Sequence, residues 1–387
     1  VLTPKLQKNG TAFAITPGMT QPLPFYAKTA LILLLLWLLL YGIYVGQTIL
    51  LPLGFSFLFA VLLRPVEKKL LSWKIPRVPA IIVTLVLALS VVAGLAMLVS
   101  SQTATLIGDL PSMRDHLVQL WQKGQAFLDH SVHVDRQQQA QLLAKARANT
   151  MDDLGGVLTH IVGTLTMSIA TILLVPIYIF FFLYYRDLLI RFVTFVFDQK
   201  HAPKVAEIIV EVRSVIQHYI TGIMTETACV AVLNVLGLLV LGAPFAVLLG
   251  VIGAIINMIP YIGGAIAVLL TTLVAYADTG SVTKLLEVWL MQVLVQFIDN
   301  HFFVPYLIGS RVKLNALVSL VAIFIGYALC GIGGMFLILP AIAICKVIFD
   351  RVDELRPWGL LLGDDTEKWT PIPLPGARAR RTKKKVS

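Results

Sequence analysis

The stretch AIIVTLVLALSVVAGLAMLVSS, residues 80 to 101, contains no charged side chain. A hydrocarbon core about 30 Å thick is crossed by roughly 20 apolar residues wound as a helix, so this stretch reads as a membrane span. ALILLLLWLLLYGIYVG, residues 30 to 46, repeats the pattern. A membrane barrel would instead show strands of about 10 residues with alternating polarity, and that pattern is absent from the sequence. The 387-residue chain as a whole is 58% hydrophobic and 13% charged, against roughly 25% charged in a soluble domain. Its mean hydropathy is +0.85. The expected fold class is an all-α polytopic membrane protein.

The first apolar run lacks a small-residue cleavage site of the secretory kind and is followed closely by others, so it reads as a retained helix. Cys229, Cys330 and Cys345 lie in apolar segments at unrelated spacings. That fits neither a disulfide framework nor a metal cluster, and they read as packing residues. The net charge of +10 has a local source in the tail GARARRTKKKVS, with Arg378, Arg380, Arg381, Lys383, Lys384 and Lys385. Beside a membrane domain such a tail reads as a cytoplasmic segment touching anionic lipid. It lacks the interleaved aromatics of a nucleic-acid surface, so no nucleic-acid partner is expected.

Along the chain, residues 1–27 carry Pro4, Pro17, Pro22 and Pro24 and read as a mobile arm. Residues 28–102 hold the first three spans. Between the second and third, Lys68, Lys69, Lys74 and Arg77 form a basic loop, cytoplasmic by the positive-inside rule. Residues 103–157 are polar and glutamine-rich and read as an extracytoplasmic helical segment, since LVQLWQKGQAFL (117–128) and AQLLAKARA (140–148) space their apolar residues helically. A fourth span, 158–185, ends at Tyr184, Tyr185 and Arg186, which read as interface anchors. Residues 186–218 carry Val205, Ile208, Ile209, Val212 and Ile216, continued by Tyr219, at helical spacing behind Pro203, and read as a cytoplasmic amphipathic helix. Residues 219–350 make a transmembrane core, and 351–387 a cytoplasmic basic tail.

That core is irregular. The apolar stretches 245–277 and 314–348 are each too long for one straight crossing. The first is interrupted by NMIPYIGG (257–264) and the second by GIGG (331–334). Either could be a kinked span or a re-entrant hairpin. Breaks at Asn257, Pro260, Gly263 and Gly264, and at Gly331, Gly333 and Gly334, free backbone groups that lipid cannot satisfy. A plain proline kink relieved by a neighbouring helix explains one such break. Corresponding breaks in two halves point instead to a binding site near the bilayer midplane.

Two further features carry polarity into the apolar core. Glu226 sits about two turns into the fifth span, with Asn234 about 2.2 turns later on nearly the same face. A carboxylate there costs about 2.5–3.5 kcal/mol on insertion scales, so it should face a cavity unless it lies at headgroup level. In the run 285–308, Gln292, Gln296 and Asp299 form one helical stripe leading to Asn300, His301 and Pro305. A surface helix ending would account for the last residues of that stripe but not for Gln292 and Gln296. Metalloprotease, hydrolase, Walker A and dinucleotide motifs are all missing from the sequence, so neither an enzyme nor a cofactor or metal site is expected.

YITG (219–222), Gly-Ala-Pro at 242–244, NMIPYIGG, DNHFFVPYLIGSRV (299–312) and GIGGMFLILPAIAICKVI (331–348) follow one another in an order that resembles the autoinducer-2 exporter family of PerM-like bacterial permeases. The resemblance covers roughly 28–350. It implies about eight membrane spans, an extramembrane segment after the third, a homo-oligomer expected to have five subunits, and transport of small molecules in the bacterial inner membrane. By position, the family's PxxG break corresponds to Pro260 and Gly263, and its Asp-Asn…Pro…Gly motif to Asp299, Asn300, Pro305 and Gly309. Asn315 and Ala316 stand where the family usually has His-Pro.

The expectation is a secondary transporter exporting a small polar metabolite or signal such as autoinducer-2. Asn257, Pro260, Gly263, Gln296, Asp299, Asn300, Gly333 and Gly334 would contact solute, and both termini would be cytoplasmic. One alternative is a sodium or lithium/proton antiporter in which Glu226 or Asp299 titrates against a monovalent cation. Another is a non-transporting oligomeric scaffold that binds partners through 103–157.

Overall fold

The computed structural model describes residues 24–131, 169–197, 201–259, 262–308 and 314–364. The N-terminal arm before residue 24, the Gln137–Gln141 region, Pro260, Gly309 and the basic tail from residue 365 lie outside them. The described residues are helical almost throughout, with one isolated antiparallel bridge between Leu314 and Gly363. Five of the helices are long and apolar enough to cross a membrane, and shorter apolar helices accompany them. The molecule is a multi-pass membrane protein.

Helix α1 (Phe25–Val45) is a compact unit by itself and buries none of its residues, as suits a helix apolar on every side. The rest of the chain, from Gln47, forms the second unit. There α2 (Gln47–Ser72) and α3 (Arg77–Ser131) pack with α4 (Ile169–Tyr184) around Ala60, Ile81, Ile179 and Leu183. Pro52 leaves the α2 backbone short of a bond, and the Ser56 hydroxyl lies 2.6 Å from its carbonyl and 3.1 Å from that of Val175 on α4. A hydroxyl shared between helices in this way is a common fastener in apolar surroundings. Arg77 closes the other end by donating to Leu183 O at 3.0 Å and pairing with Asp187 at 3.0 Å. Helix α3 continues without a break past residue 103 to Ser131.

After α5 (Arg186–Val196), α6 (Ala202–Val240) starts with Pro203 in its first turn. It is a single rod of 39 residues, about 58 Å long, so the amphipathic segment and the fifth span are one helix. Arg351 bridges Glu207 at 3.0 Å and Glu211 at 2.5 Å and anchors the lower part of this rod.

Both broken stretches are hairpins. Helix α7 (Ala246–Asn257) turns through residues 258–262 into α8 (Gly263–Thr279). A methyl on Gly253 of α7 would sit 3.7 Å from Ala267 Cβ and 3.8 Å from Thr271 Oγ1 of α8, so the two helices lie side by side. Twelve residues make a helix of only about 18 Å, too short to cross. Helix α9 (Val282–Ile298) then leads into a π-helical turn, Asp299–Ile308.

The last apolar element, α10 (Ala316–Arg351), is long enough to count as one crossing but reverses at Cys330 and Gly331, whose φ of 61° requires the left-handed conformation glycine tolerates. Gly326 and Gly334 come face to face across the turn. A methyl on Gly326 would meet the Gly334 carbonyl oxygen at 2.6 Å. Asn315 N also bonds Leu362 O at 2.9 Å, tying the start of α10 to the end of α11 (Arg356–Leu362). A straight helix over 316–351 would hold its two ends about 54 Å apart. Asn315 caps α10 by accepting from Leu317 N at 2.9 Å.

Candidate functional site

The first hairpin brings its turn against α6 and the end of α9. Asn257, the last residue of α7, donates from Nδ2 to Asp299 Oδ2 at 2.8 Å and to Glu226 Oε1 at 3.3 Å. Its Oδ1 accepts from Gln296 Nε2 at 3.3 Å, and Gln296 Nε2 is 3.4 Å from Asp299 Oδ2. Three segments far apart in sequence thus meet on one amide. The two carboxyl groups therefore share one amide donor.

Glu226 is 5% and Asp299 2% exposed, and no lysine, arginine or histidine pairs with either among the described residues. Asp299 Oδ1 has no partner there at all. Two buried carboxylates without a cation are costly, since a charge removed from water needs compensation. A shared proton, a bound cation or hydroxyl donors from a solute would each lower that cost.

The cluster forms the polar wall of a cavity of about 1070 Å³. Glu226, Asn257, Gln296, Asp299 and Asn300 all line it. Its apolar wall includes Val268, Leu269, Trp289, Val293 and Leu339. A mostly apolar pocket with a few convergent polar groups is the usual form of a small-molecule site.

The backbone at Asp299 explains how the cluster is presented. The α-helix ends at Ile298 and the winding widens to π from Asp299 through Pro305 to Ile308. Wider turns of this kind recur at functional sites because they change which side chains share a face. Asp299 is buried here while its neighbour Asn300 is exposed on the cavity rim. His301 also lines the cavity, with Nδ1 3.0 Å from Phe297 O and its ring stacked on Phe297 at 4.2 Å.

Other sequence-predicted positions fall differently. Gly263 begins α8 against the backbone of Ile256 and Asn257, where any side chain would collide. Gly333 faces Leu51 and Phe55 of α2, and Gly334 packs inside the second hairpin. Neither lines the cavity. The second hairpin contributes Ser319 and Leu339 instead. Sequence reasoning missed those two, as well as Tyr219 and Thr272. Gly264, named with the first break, does line the cavity, and a methyl there would lie 2.6 Å from the Gln296 amide.

Comparison with known proteins agrees with a transport architecture. The AI-2E family transporter profile matches residues 32–354. YrrI of Bacillus subtilis (strain 168), named as a candidate transport protein, is 25% identical over 80% of this chain and 88% of its own length. The AI-2 transport protein TqsA of Escherichia coli (strain K12) is 24% identical over 87% of this chain and 96% of its own length. PerM of the same strain, named as a candidate permease, is 26% identical over 49% of this chain and 54% of its own. The match extends from α1 to the end of the second hairpin, and on it the chain belongs to the AI-2E family of transporters.

Proposed function

We propose that this protein is a secondary transporter that exports a small polar metabolite, with autoinducer-2 as the leading candidate, across the bacterial inner membrane. The observation that carries the reading is the cavity beneath the first hairpin, where Asn257 joins Glu226, Gln296 and Asp299 beside an apolar wall. A short hydroxylated solute would replace the Asn257 contacts with its own donors, and Asp299 Oδ1 offers it an open acceptor. Rocking of the hairpins against α6 and α9 would alternate access.

In this reading eight segments enter the membrane. Six cross it, namely α1, α2, α3, α4, α6 and α9, and the two hairpins enter from opposite faces. The basic loop carrying Lys68, Lys69 and Lys74 faces the cytoplasm, as do both termini. The stretch 103–157 lies outside, the basic tail meets anionic lipid, and the protein works as a homo-oligomer, a pentamer by family resemblance.

Efflux of autoinducer-2 from proteoliposomes tests the site. Asp299→Ala and Asn300→Ala are each expected to depress efflux, and normal efflux in both would overturn the assignment. A second reading, monovalent cation/proton antiport, is favoured by the unpaired carboxylates on one amide. It predicts a sodium-driven pH change in the same vesicles without any organic solute.

A further inference from the structure

The polar character of the core does not end at the cavity. On α8, Gly264, Val268 and Thr272 line the cavity at intervals of four residues, and Tyr276 follows one turn later on the same line. Tyr276 is fully buried, and its hydroxyl has no hydrogen-bond partner among the described residues. Beside this line, Asn234 Nδ2 and Thr271 Oγ1 both lie within 4 Å of the same point above Gly253. Asn234, Thr271 and Gln292 are 2%, 0% and 3% exposed, and each keeps a polar atom without a partner.

The row has charged groups at both ends. One end is the Glu226–Asp299 pair. At the other, Asp278 has Asp109 and His116 as electrostatic neighbours, and His116 Nδ1 lies 2.8 Å from Ala277 O. Lys284 and Glu287 of α9 pair with each other at 2.8 Å near this end, with Lys284 also donating to Leu241 O at 2.6 Å. The exposed rim residues Asn300 and His301 lie at the opposite, π-helical end of the cavity.

Packing alone would put apolar side chains along this line. A buried polar atom without a partner costs about 1–3 kcal/mol, and more where lipid surrounds the protein. A row of them is explained when the groups hold water, which typically makes about three hydrogen bonds to such atoms.

We propose that this row is a proton path, separate from the solute's opening, linking the Glu226–Asp299 pair to the Asp278–His116 end of α8. Water held by Asn234, Thr271 and Gln292 bridges the cavity to the Tyr276 hydroxyl. Each hydroxyl or water accepts a proton from one neighbour and donates one to the next, so one proton leaves the carboxyl pair and one reaches Asp278 or His116. No bond to carbon changes. The amides hold water and do not themselves carry the proton. The inference rests on the transport reading above and assigns protons as its coupling ion.

The test uses the full chain in proteoliposomes loaded with pyranine, with autoinducer-2 as the probe solute. Two quantities are read: proton movement under a potassium diffusion potential, and autoinducer-2 counterflow, which needs no net proton movement. Tyr276→Phe and Thr271→Val keep volume and remove only the hydroxyl function. Each is expected to slow proton movement about a hundredfold, at the lower end of what a positioned proton-transfer group contributes, and to leave counterflow within about twofold. Intact counterflow also reports intact folding.

Unchanged proton movement in both variants overturns the path. So does a wild-type protein that performs counterflow but moves no protons. The transport site fails separately, if Asp299→Asn leaves counterflow intact. Loss of counterflow in both hydroxyl variants also overturns the path, because the row would then serve solute binding or folding.

Discussion

The two hairpins share a backbone plan but not a chemistry. In the first, the turn after Asn257 delivers an amide to two carboxylates and opens Gly264 toward Gln296. In the second, the turn at Cys330 and Gly331 is followed by Gly333 against Leu51 and Phe55, while Gly334 closes on Gly326. Glycine therefore does different work in each. It makes room for a polar group beside the cavity in one hairpin, and lets two backbones touch in the other. A helix break in a membrane is thus no indication of a binding site until its side chains are placed.

Substitutions that break this contrast should differ in kind as well as size. Asn257→Leu leaves Glu226 and Asp299 without their common donor. Losing a hydrogen bond to a buried charged group typically costs about 1.5–3 kcal/mol, and two are lost here, so autoinducer-2 efflux should vanish and the thermal midpoint in detergent should fall most. Gly326→Val forces a side chain onto the Gly334 carbonyl. Overpacking of this sort costs about 1–3 kcal/mol, seen as a lower midpoint, with efflux per folded molecule retained.

Gly264→Ala should act chiefly on transport. Its methyl would press on the end of a flexible glutamine, so the midpoint should shift by under about 1 kcal/mol equivalent, while efflux falls as Gln296 is pushed from Asn257. Gly333→Ala should do least. Its methyl would meet Leu51 Cδ2 at 3.2 Å, a contact a leucine rotamer can relieve, and both readouts should stay within about 0.5 kcal/mol equivalent of wild type. Large transport loss from Gly333→Ala with an unchanged midpoint would erase the distinction between the hairpins.

Much of this was legible in the amino-acid order. Uncharged runs mark the spans because lipid tolerates little else, and the Gln292–Gln296–Asp299 stripe is real, with all three side chains at least half-buried and two of them in the cavity. Asn257 and Glu226 also stood out, since each is a polar residue in an apolar run. Reversal of the chain at Gly331 was not legible. A kink and a hairpin leave the same Gly-rich pattern, and the packing of Gly326 on Gly334, with the Asn315–Leu362 bond, separates them.

The π winding at Asp299 was hidden for a related reason. Pro305 suggested a stop, whereas the winding runs past the proline to Ile308 and packs against α6. Ser319 and Leu339 enter the cavity only because the second hairpin folds back. The unity of α6 escaped because a change from amphipathic to wholly apolar surface describes a helix leaving water as well as it describes two helices.

The central claim is that solute passes through the cavity organised by Asn257, and the most direct measurement is autoinducer-2 efflux from proteoliposomes compared between Gln296→Leu and Gly333→Ala. The account predicts that Gln296→Leu loses most of the efflux, because it removes the donor to Asn257 from the cavity wall, and that Gly333→Ala keeps it. Equal efflux from the two variants, or loss confined to Gly333→Ala, would contradict the account.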